Sequence, residues 1–208
     1  MKNIIKSIQA LFTKLPAYRK AYSNDFLWPL VLPLRQLQLK QIAGKIAQTA
    51  ESGTILDIGA GYGYLLIEIA RRCPDVRLIG VDIELALISD GTKSIREKNL
   101  ADRVTFLGAQ AEFLPFADDS FNMVVSTMSM HLWHDRQSGI SEIRRVLKPG
   151  GRVFILVDRH YLLHGLDHIT DYFTKRSITA LEALCLSRGF RECKVAELDE
   201  ILKIVATK

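Results

Sequence analysis

The sequence predicts an α/β fold: a doubly wound, seven-stranded, mainly parallel sheet with one antiparallel strand and helices on both faces. Short apolar runs alternate with helical segments along most of the 208 residues. This alternation is typical of parallel strands joined by right-handed crossovers. Two closing runs, 190–198 and 201–207, are separated only by Asp199-Glu200. They predict a hairpin, so one of these strands must be antiparallel to the others.

The chain is expected to begin with helices over much of residues 3–50. Five strands then follow, with helices between them, near 54–58, 77–82, 103–107, 121–126 and 152–157. The helix before the fifth strand is expected to stop at Pro149 and the two glycines behind it. A last helix is expected to begin at a capping box formed by Thr179 and Glu182 and to end at Arg188-Gly189.

The composition indicates one globular domain with a full core, with 48% hydrophobic and 25% charged residues. Cys73, Cys185 and Cys193 have no metal-ligand spacing, which favours reduced thiols and a cytoplasmic location. No run reaches the length of a transmembrane helix, and residues 1–10 lack the apolar core of a signal peptide.

The most specific feature is Asp57-Ile58-Gly59-Ala60-Gly61-Tyr62-Gly63, which follows a short apolar run. Glycine is required where the backbone takes positive φ or approaches a ligand closely. The loop departs from the dinucleotide fingerprint, because Tyr64 stands where the third glycine belongs, and it is not a triphosphate loop either. Asp57 would repel a pyrophosphate, so the loop suits a ligand with a cationic end.

Four further segments follow in order: Leu78-Ile79-Gly80-Val81-Asp82, the A-E-F-L-P-F run at 111–116, the strand at 120–126, and E-I-R-R-V-L-K-P-G-G at 142–151. Together with the glycine loop they resemble the class I S-adenosylmethionine-dependent methyltransferases. The resemblance is in particular to the small-molecule branch, which includes type 11 and ubiquinone/menaquinone methyltransferases. The resemblance extends from about Thr54 to the C-terminus. It implies a Rossmann-like domain over 51–208 that converts S-adenosylmethionine to S-adenosylhomocysteine.

The resemblance also implies roles for particular residues. Gly59, Ala60 and Gly61 would present backbone to the methionine part, and Asp57 would orient the loop and favour the ammonium group. Asp82 would take the ribose diol. The full set of cofactor-binding residues that it implies is Asp57, Gly59, Ala60, Gly61, Gly63, Asp82, Ile83, Gln110, Ala111 and Ser126.

Adenine would lie against Ile83, with Gln110 and the Ala111 N–H at its edge. The family usually has Asp at the Gln110 position and often Ser at the Glu84 position, so this chain departs from it twice. A Gln amide oxygen still accepts a hydrogen bond, although without the assistance of charge. We interpret both departures as tuning of the site.

Methyl transfer mainly requires alignment of the acceptor with the methyl group and the exclusion of water. A general base is needed only if the acceptor must lose a proton. His131 and His134 follow the fourth strand and are the candidate catalytic residues; the alternative for His131 is a packed structural histidine. His160, His164 and His168 recur every four residues near Asp167 and Asp171, but we expect no metal site there.

Residues 1–50 carry eight basic residues and one acid, a balance of +7 against +5 for the whole chain. One helical face within residues 1–15 is apolar, and Pro16 ends the pattern. We favour a helical lid over the site for residues 1–50, as is frequent in this family. Contact of residues 1–15 with an anionic membrane surface is compatible with a lid.

The acceptor is expected to be a small or lipid-like molecule, methylated on oxygen, carbon or nitrogen. The chain lacks the N/D-P-P-Y run of amine-modifying enzymes, the Pro-Cys pair of cytosine C5 enzymes and the double-glutamate loop of protein arginine enzymes. We expect no nucleic-acid partner, because no RNA-binding module accompanies the domain. The alternatives are a protein of this fold that binds a cofactor or metabolite without turnover and, more weakly, a dehydrogenase.

Overall fold

The computed structural model describes residues 28–50, 52–158, 170–198 and 201–208. The helices of this part are α1 (Trp28–Ala47), α2 (Tyr64–Ala70), α3 (Leu85–Glu97), α4 (Arg136–Val146) and α5 (Thr170–Ser187). The strands are β1 (Gly53–Ile58), β2 (Val76–Asp82), β3 (Val104–Gly108), β4 (Phe121–Thr127), β5 (Leu147–Asp158), β6 (Glu192–Leu198) and β7 (Ile201–Thr207). A short 3-10 helix, Met130–Leu132, follows β4.

The seven strands form one sheet in the order β3-β2-β1-β4-β5-β7-β6. The first five are parallel, whereas β7 runs antiparallel to both of its neighbours. The predicted fold class is therefore confirmed, including the closing hairpin. Because β1 and β4 are neighbours, the loops after their carboxyl ends meet at the middle of one sheet edge.

The central strands are apolar on both faces, as expected for strands covered by helices on both sides. On one face, α4 and α5 contribute Ile140, Ile143 and Leu181 to a buried cluster. The opposite face is covered by α1, α2 and α3. This three-layer packing makes the carboxyl edge of the sheet a rigid base for the loops that follow it.

Two predicted helix boundaries are wrong. The helix before the fifth strand ends at Val146, and Pro149 lies in the first part of β5. The register of β5 against β4 shifts there, since Leu147 pairs with Phe121 but Arg152 pairs with Met123. The irregular pairing accommodates a residue that cannot donate to a regular ladder.

The predicted capping box is also wrong, because α5 begins at Thr170 and Thr179 lies inside the helix. The Glu182 carboxylate accepts a hydrogen bond of 2.9 Å from the Val195 N–H of β6 instead of capping a helix. A contact between helix and sheet thus replaces the local pattern that the sequence suggested.

The second half of α1 belongs to the core. Leu39, Ile42, Ala43 and Ile46 are buried together with side chains of α2. This part of residues 1–50 therefore packs as a member of the domain. The apolar face within residues 1–15, on which the lid and membrane hypotheses depend, lies outside the described residues.

Candidate active site

The glycine loop connects β1 to α2, and its three glycines serve two different purposes. Gly59, Gly61 and Gly63 have φ of +74°, +53° and +73°. A Cβ on Gly59 would lie 2.3 Å from the Ser129 Cβ, and one on Gly63 would lie 2.4 Å from the Phe106 Cζ. A Cβ on Gly61 would meet nothing within 4 Å. Gly59 and Gly63 are therefore required for packing, whereas Gly61 marks the open face of the loop.

The N–H groups of the loop are already engaged by β2. Gly59 and Ala60 both donate to the Val81 carbonyl, at 2.8 and 3.0 Å. Gly61 donates to Asp82 Oδ2 at 2.7 Å. Phosphate sites depend on backbone N–H groups that point at the ligand. Because these three point into the protein, the loop is suited to a ligand without phosphate, in agreement with the glycine spacing.

Asp82 stands at the carboxyl end of β2 and fixes the geometry around it. Its Oδ1 accepts from the Glu84 N–H at 3.0 Å, while Oδ2 holds Gly61. Its main-chain carbonyl accepts from the Ala109 N–H at 3.0 Å, which brings in the end of β3. An ionised carboxylate has about four acceptor positions. Asp82 can therefore hold the loop and still accept hydrogen bonds from a ligand hydroxyl.

The residues implied for adenine lie on both sides of this point. Ile83 is 61% exposed, so its side chain is open to a flat ring. Gln110 is exposed, and its main-chain carbonyl accepts a hydrogen bond from the Phe113 N–H at 3.2 Å. The Ala111 side chain is buried in the core cluster. Ile83 and Gln110 are thus accessible to a ligand, and Ala111 contributes backbone at most.

Asp57 and Ser126 lie deeper than the other predicted residues. Asp57 is 1% exposed and pairs with Gly80 and Val125 of the neighbouring strands. Its carboxyl group therefore lies beneath the loop and is not open to direct contact with a ligand. Ser126 is fully buried, and its hydroxyl lies 2.7 Å from the Ser129 Oγ.

Ser129 is the site residue that the sequence analysis missed. Its side chain fills the space that the missing Cβ of Gly59 leaves, and its hydroxyl donates to the Ile58 carbonyl at 2.9 Å. The sequence offered one indirect signal for this contact. A glycine at position 59 implies that another group packs closely there, but it does not identify the group.

The two candidate histidines follow β4 at the same edge of the sheet. His131 belongs to the 3-10 helix and is half-buried, and His134 is exposed. The segment is anchored by Asp135, the N-cap of α4, which accepts from Ser138 Oγ at 2.5 Å and from the Gln137 N–H at 2.9 Å. These hydrogen bonds, that from Ser138 foremost, lower the pKa of Asp135.

Two of the motif segments hold each other in place. Arg145 donates to the carbonyls of Leu114 and Phe116 at 3.0 and 2.7 Å. Glu142 accepts from the Leu114 N–H at 2.9 Å. The hydrogen bond from Arg145 lowers the pKa of Glu142. In this way the segment 142–151 holds the segment 111–116 in place. Glu142 and Arg145 therefore have a structural role behind the site.

Exposed apolar side chains form a rim around this edge. Six large apolar residues of the described ranges are exposed, and five of them lie at or just after the carboxyl ends of β2, β3 and β4. These five, the apolar rim, are Ile83, Leu85, Leu107, Phe113 and Leu132, exposed by 61%, 69%, 40%, 76% and 77%. Exposed apolar side chains that collect at one edge of a sheet form a candidate binding surface.

Within the described ranges, no group of three or more His, Cys, Asp or Glu side chains is arranged to hold a metal ion. His160, His164, His168 and Asp167, and the side chain of Asp171, lie outside the described part. None of the helices described here is both long and apolar enough to cross a membrane.

Known proteins resemble this chain, and the family match falls on the same segments. A family model described as a methyltransferase domain matches residues 55–151. A ubiquinone/menaquinone biosynthesis C-methyltransferase of Geotalea uraniireducens is 33% identical over 175 residues, which cover 82% of this chain and 71% of the relative. Its counterpart from Geotalea daltonii is 36% identical over 140 residues, which cover 65% of this chain and 59% of the relative.

A solved structure gives the same result for the fold. It belongs to a Methanococcus maripaludis protein assigned to the S-adenosylmethionine-dependent methyltransferases, and it matches with a TM-score of 0.72 at 22% identity. The match covers 91% of this chain and 92% of that protein. At this identity the likeness concerns the fold alone.

Fold, motif order and relatives agree: the chain belongs to the class I S-adenosylmethionine-dependent methyltransferases. The predicted family is thereby confirmed. The chain spans between 45% and 60% of the length of three of the curated relatives it matches.

Proposed function

We propose that this protein transfers a methyl group from S-adenosylmethionine to a small apolar acceptor, held at the carboxyl edge of the sheet. The observation that carries this proposal is the apolar rim next to the glycine loop. Adenine would cover Ile83. A polar acceptor would leave the other four side chains of the rim in water, whereas an apolar acceptor would cover them. The relatives' names, which refer to ubiquinone and menaquinone biosynthesis, support a lipid-like acceptor methylated on carbon. Oxygen and nitrogen acceptors are the alternatives.

In the proposed binding mode the open face of the loop, at Gly61, receives the methionine part. The buried charge of Asp57 favours its ammonium group, and Asp82 accepts from the ribose hydroxyls. Ile83 covers one face of adenine, while Gln110 and the backbone of Ala111 meet its edge. Gly59, Ala60, Gly63 and Ser126 shape the loop from behind. When bound, the cofactor supplies a sulfonium methyl group that a nucleophile can displace.

The chain's own contribution to the reaction is mainly positional. The rim excludes water, and the rigid sheet edge fixes the donor loop relative to the segment after β4. We propose His131 as the group that accepts a proton if the acceptor has one to lose, because it is half-buried on the 3-10 helix beside the loop. His134 is exposed and is the second candidate.

The N-terminal segment offers a cover for the rim. Its balance of +7 and the apolar face within residues 1–15 support either closure over the site or docking on an anionic membrane surface. We propose a lid that also makes peripheral membrane contact, since a lipid-like acceptor would be met there. The three free cysteines support a cytoplasmic location.

Transfer of labelled methyl tests this function. The protein is incubated with methyl-labelled S-adenosylmethionine and either a lipid extract or a water-soluble metabolite extract. We expect labelled product in the organic phase with the lipid extract and not with the water-soluble extract. The Asp82→Ala variant should give no labelled product with either. Label that appears only in water-soluble products would exclude an apolar acceptor. For the base, His131→Gln should lower transfer at least tenfold more than His134→Gln; equal rates would remove His131 from this role.

A further inference from the structure

Ser129 occupies an unusual position in the backbone. β4 ends at Thr127, and Met128 then takes φ of +58°, a left-handed conformation that is rare outside glycine. The Met128 N–H donates to the Leu156 carbonyl at 2.8 Å. This turn directs the Ser129 side chain back toward β1, while its main-chain carbonyl accepts from Leu132 in the 3-10 helix at 2.8 Å. Such strain often marks a functional position.

The Ser129 hydroxyl is fully used, and its bonding pattern can be assigned. A serine hydroxyl has one hydrogen to donate and two lone pairs that accept. The hydrogen goes to the Ile58 carbonyl at 2.9 Å. In the 2.7 Å contact with Ser126 the latter must therefore be the donor. The second lone pair accepts from Trp133 Nε1 at 3.3 Å.

These bonds join two segments that are far apart in the sequence. Ile58 directly precedes Gly59, which packs against Ser129 with no room for a Cβ. Trp133, which donates to Ser129, contacts α4 in turn. A Cβ on Gly139 would lie 2.7 Å from Trp133 Cε3, so the Trp133 ring packs directly on the backbone of α4. A continuous chain of close contacts thus runs from the glycine loop through Ser129 to residues 130–133, which include His131.

We propose that Ser129 is a positioning residue that transmits binding at the glycine loop to the acceptor-side segment 130–133. This inference rests on the proposed placement of the cofactor at that loop. Displacement at the methyl group requires donor and acceptor to be aligned closely. One side chain that contacts both segments keeps their spacing constant, and a change in the loop moves the Trp133 indole through the shared hydroxyl.

The Trp133 indole N–H is a direct probe, and no acceptor is needed. The chain has two tryptophans, so Trp28→Phe assigns the two indole resonances in a ¹H–¹⁵N spectrum. S-adenosylhomocysteine is titrated by calorimetry and by NMR. We expect the Trp133 indole resonance to shift and to saturate with the calorimetric affinity. Binding that leaves this resonance unmoved would overturn the coupling alone, and no binding at all would overturn the cofactor placement as well.

Variants separate transmission from simple proximity. Ser129→Ala keeps the Cβ that packs on Gly59 and removes the shared hydroxyl. It should bind S-adenosylhomocysteine within about tenfold of wild type but lose at least half of the indole shift. Ser120→Ala is the matched control, because it removes one hydroxyl that donates to Ala117 at 2.6 Å, and it should keep the full shift. A full shift in Ser129→Ala would refute the proposal.

If Ser129→Ala does not fold, Ser129→Cys replaces it. A thiol keeps a side chain of similar size but is a weak hydrogen-bond donor and acceptor. We expect Ser129→Cys to lose at least half of the indole shift as well, and a full shift would again count against transmission through Ser129.

Discussion

Gly59→Ala should destabilise the protein much more than Gly61→Ala, although both residues have positive φ in the same loop. A left-handed conformation costs any residue with a Cβ about 1–2 kcal/mol. At Gly61 this is the whole cost, because a Cβ there meets nothing within 4 Å. At Gly59 the Cβ would lie 2.3 Å from the Ser129 Cβ, and overpacking of this kind adds about 1–3 kcal/mol.

The expected loss in free energy of unfolding is therefore about 2–5 kcal/mol for Gly59→Ala and about 1–2 kcal/mol for Gly61→Ala. Urea unfolding followed by tryptophan fluorescence measures both. A double variant that combines Gly59→Ala with Ser129→Gly should recover part of the larger loss, as a positive coupling in a double-mutant cycle. Equal losses for the two single variants, or no coupling to Ser129, would refute this explanation of the loop.

Gly61→Ala, the variant with the smaller expected loss of stability, should have a direct effect on cofactor affinity. Gly61 lies on the open face of the loop, so its new Cβ would occupy the proposed ligand position. We expect Gly61→Ala to weaken S-adenosylhomocysteine binding at least about tenfold, or 1.4 kcal/mol, with little loss of fold. Unchanged affinity in Gly61→Ala would place the ligand elsewhere.

Three further predictions concern the supporting structure. Arg145→Met should lower the free energy of unfolding by about 2–3 kcal/mol, because charge-assisted bonds to two motif segments are lost, and Arg144→Met by less; equal losses in urea would contradict this. The pKa of Glu142 is lowered, so its stabilisation is present above its ordinary pKa and is lost as pH falls through the lower, folded value. Glu142→Gln should therefore flatten the fall in stability below about pH 4.5, and an unchanged acid profile would exclude this source. Iodoacetamide at pH 8 should label Cys193 first, since a hydrogen bond from Cys185 lowers the pKa of Cys193 and the other thiols are buried. Peptide mapping that finds another cysteine labelled first would contradict it.

The sequence predicted the loop but not the division of labour within it. The glycine spacing indicated close approach, and the structure shows such an approach at Gly59 and Gly63 but not at Gly61. Both approaches are to the protein itself, at Ser129 and Phe106, which lie far along the chain. No local pattern links Gly59 to a serine after β4, so the supporting contact could not be read from the motif.

The sheet could be predicted from the sequence, whereas the helix ends could not. Apolar runs and a hairpin were sufficient for the fold, because burial on both faces determines where strands lie. Exact helix ends were not, since Glu182 bonds to β6 and Pro149 is accommodated in β5. In both cases a tertiary contact outweighed the local signal.

We propose the sheet edge between the glycine loop and Asp82 as the cofactor site. Calorimetric titration of S-adenosylhomocysteine into wild type, Asp82→Ala and Asp90→Ala tests it most directly. Asp90 is the matched control, because it is an exposed carboxylate on α3 with no proposed role in the site. We expect binding to be abolished in Asp82→Ala, with the fold retained, and to change less than about threefold in Asp90→Ala. Wild-type affinity in a folded Asp82→Ala protein would contradict the account.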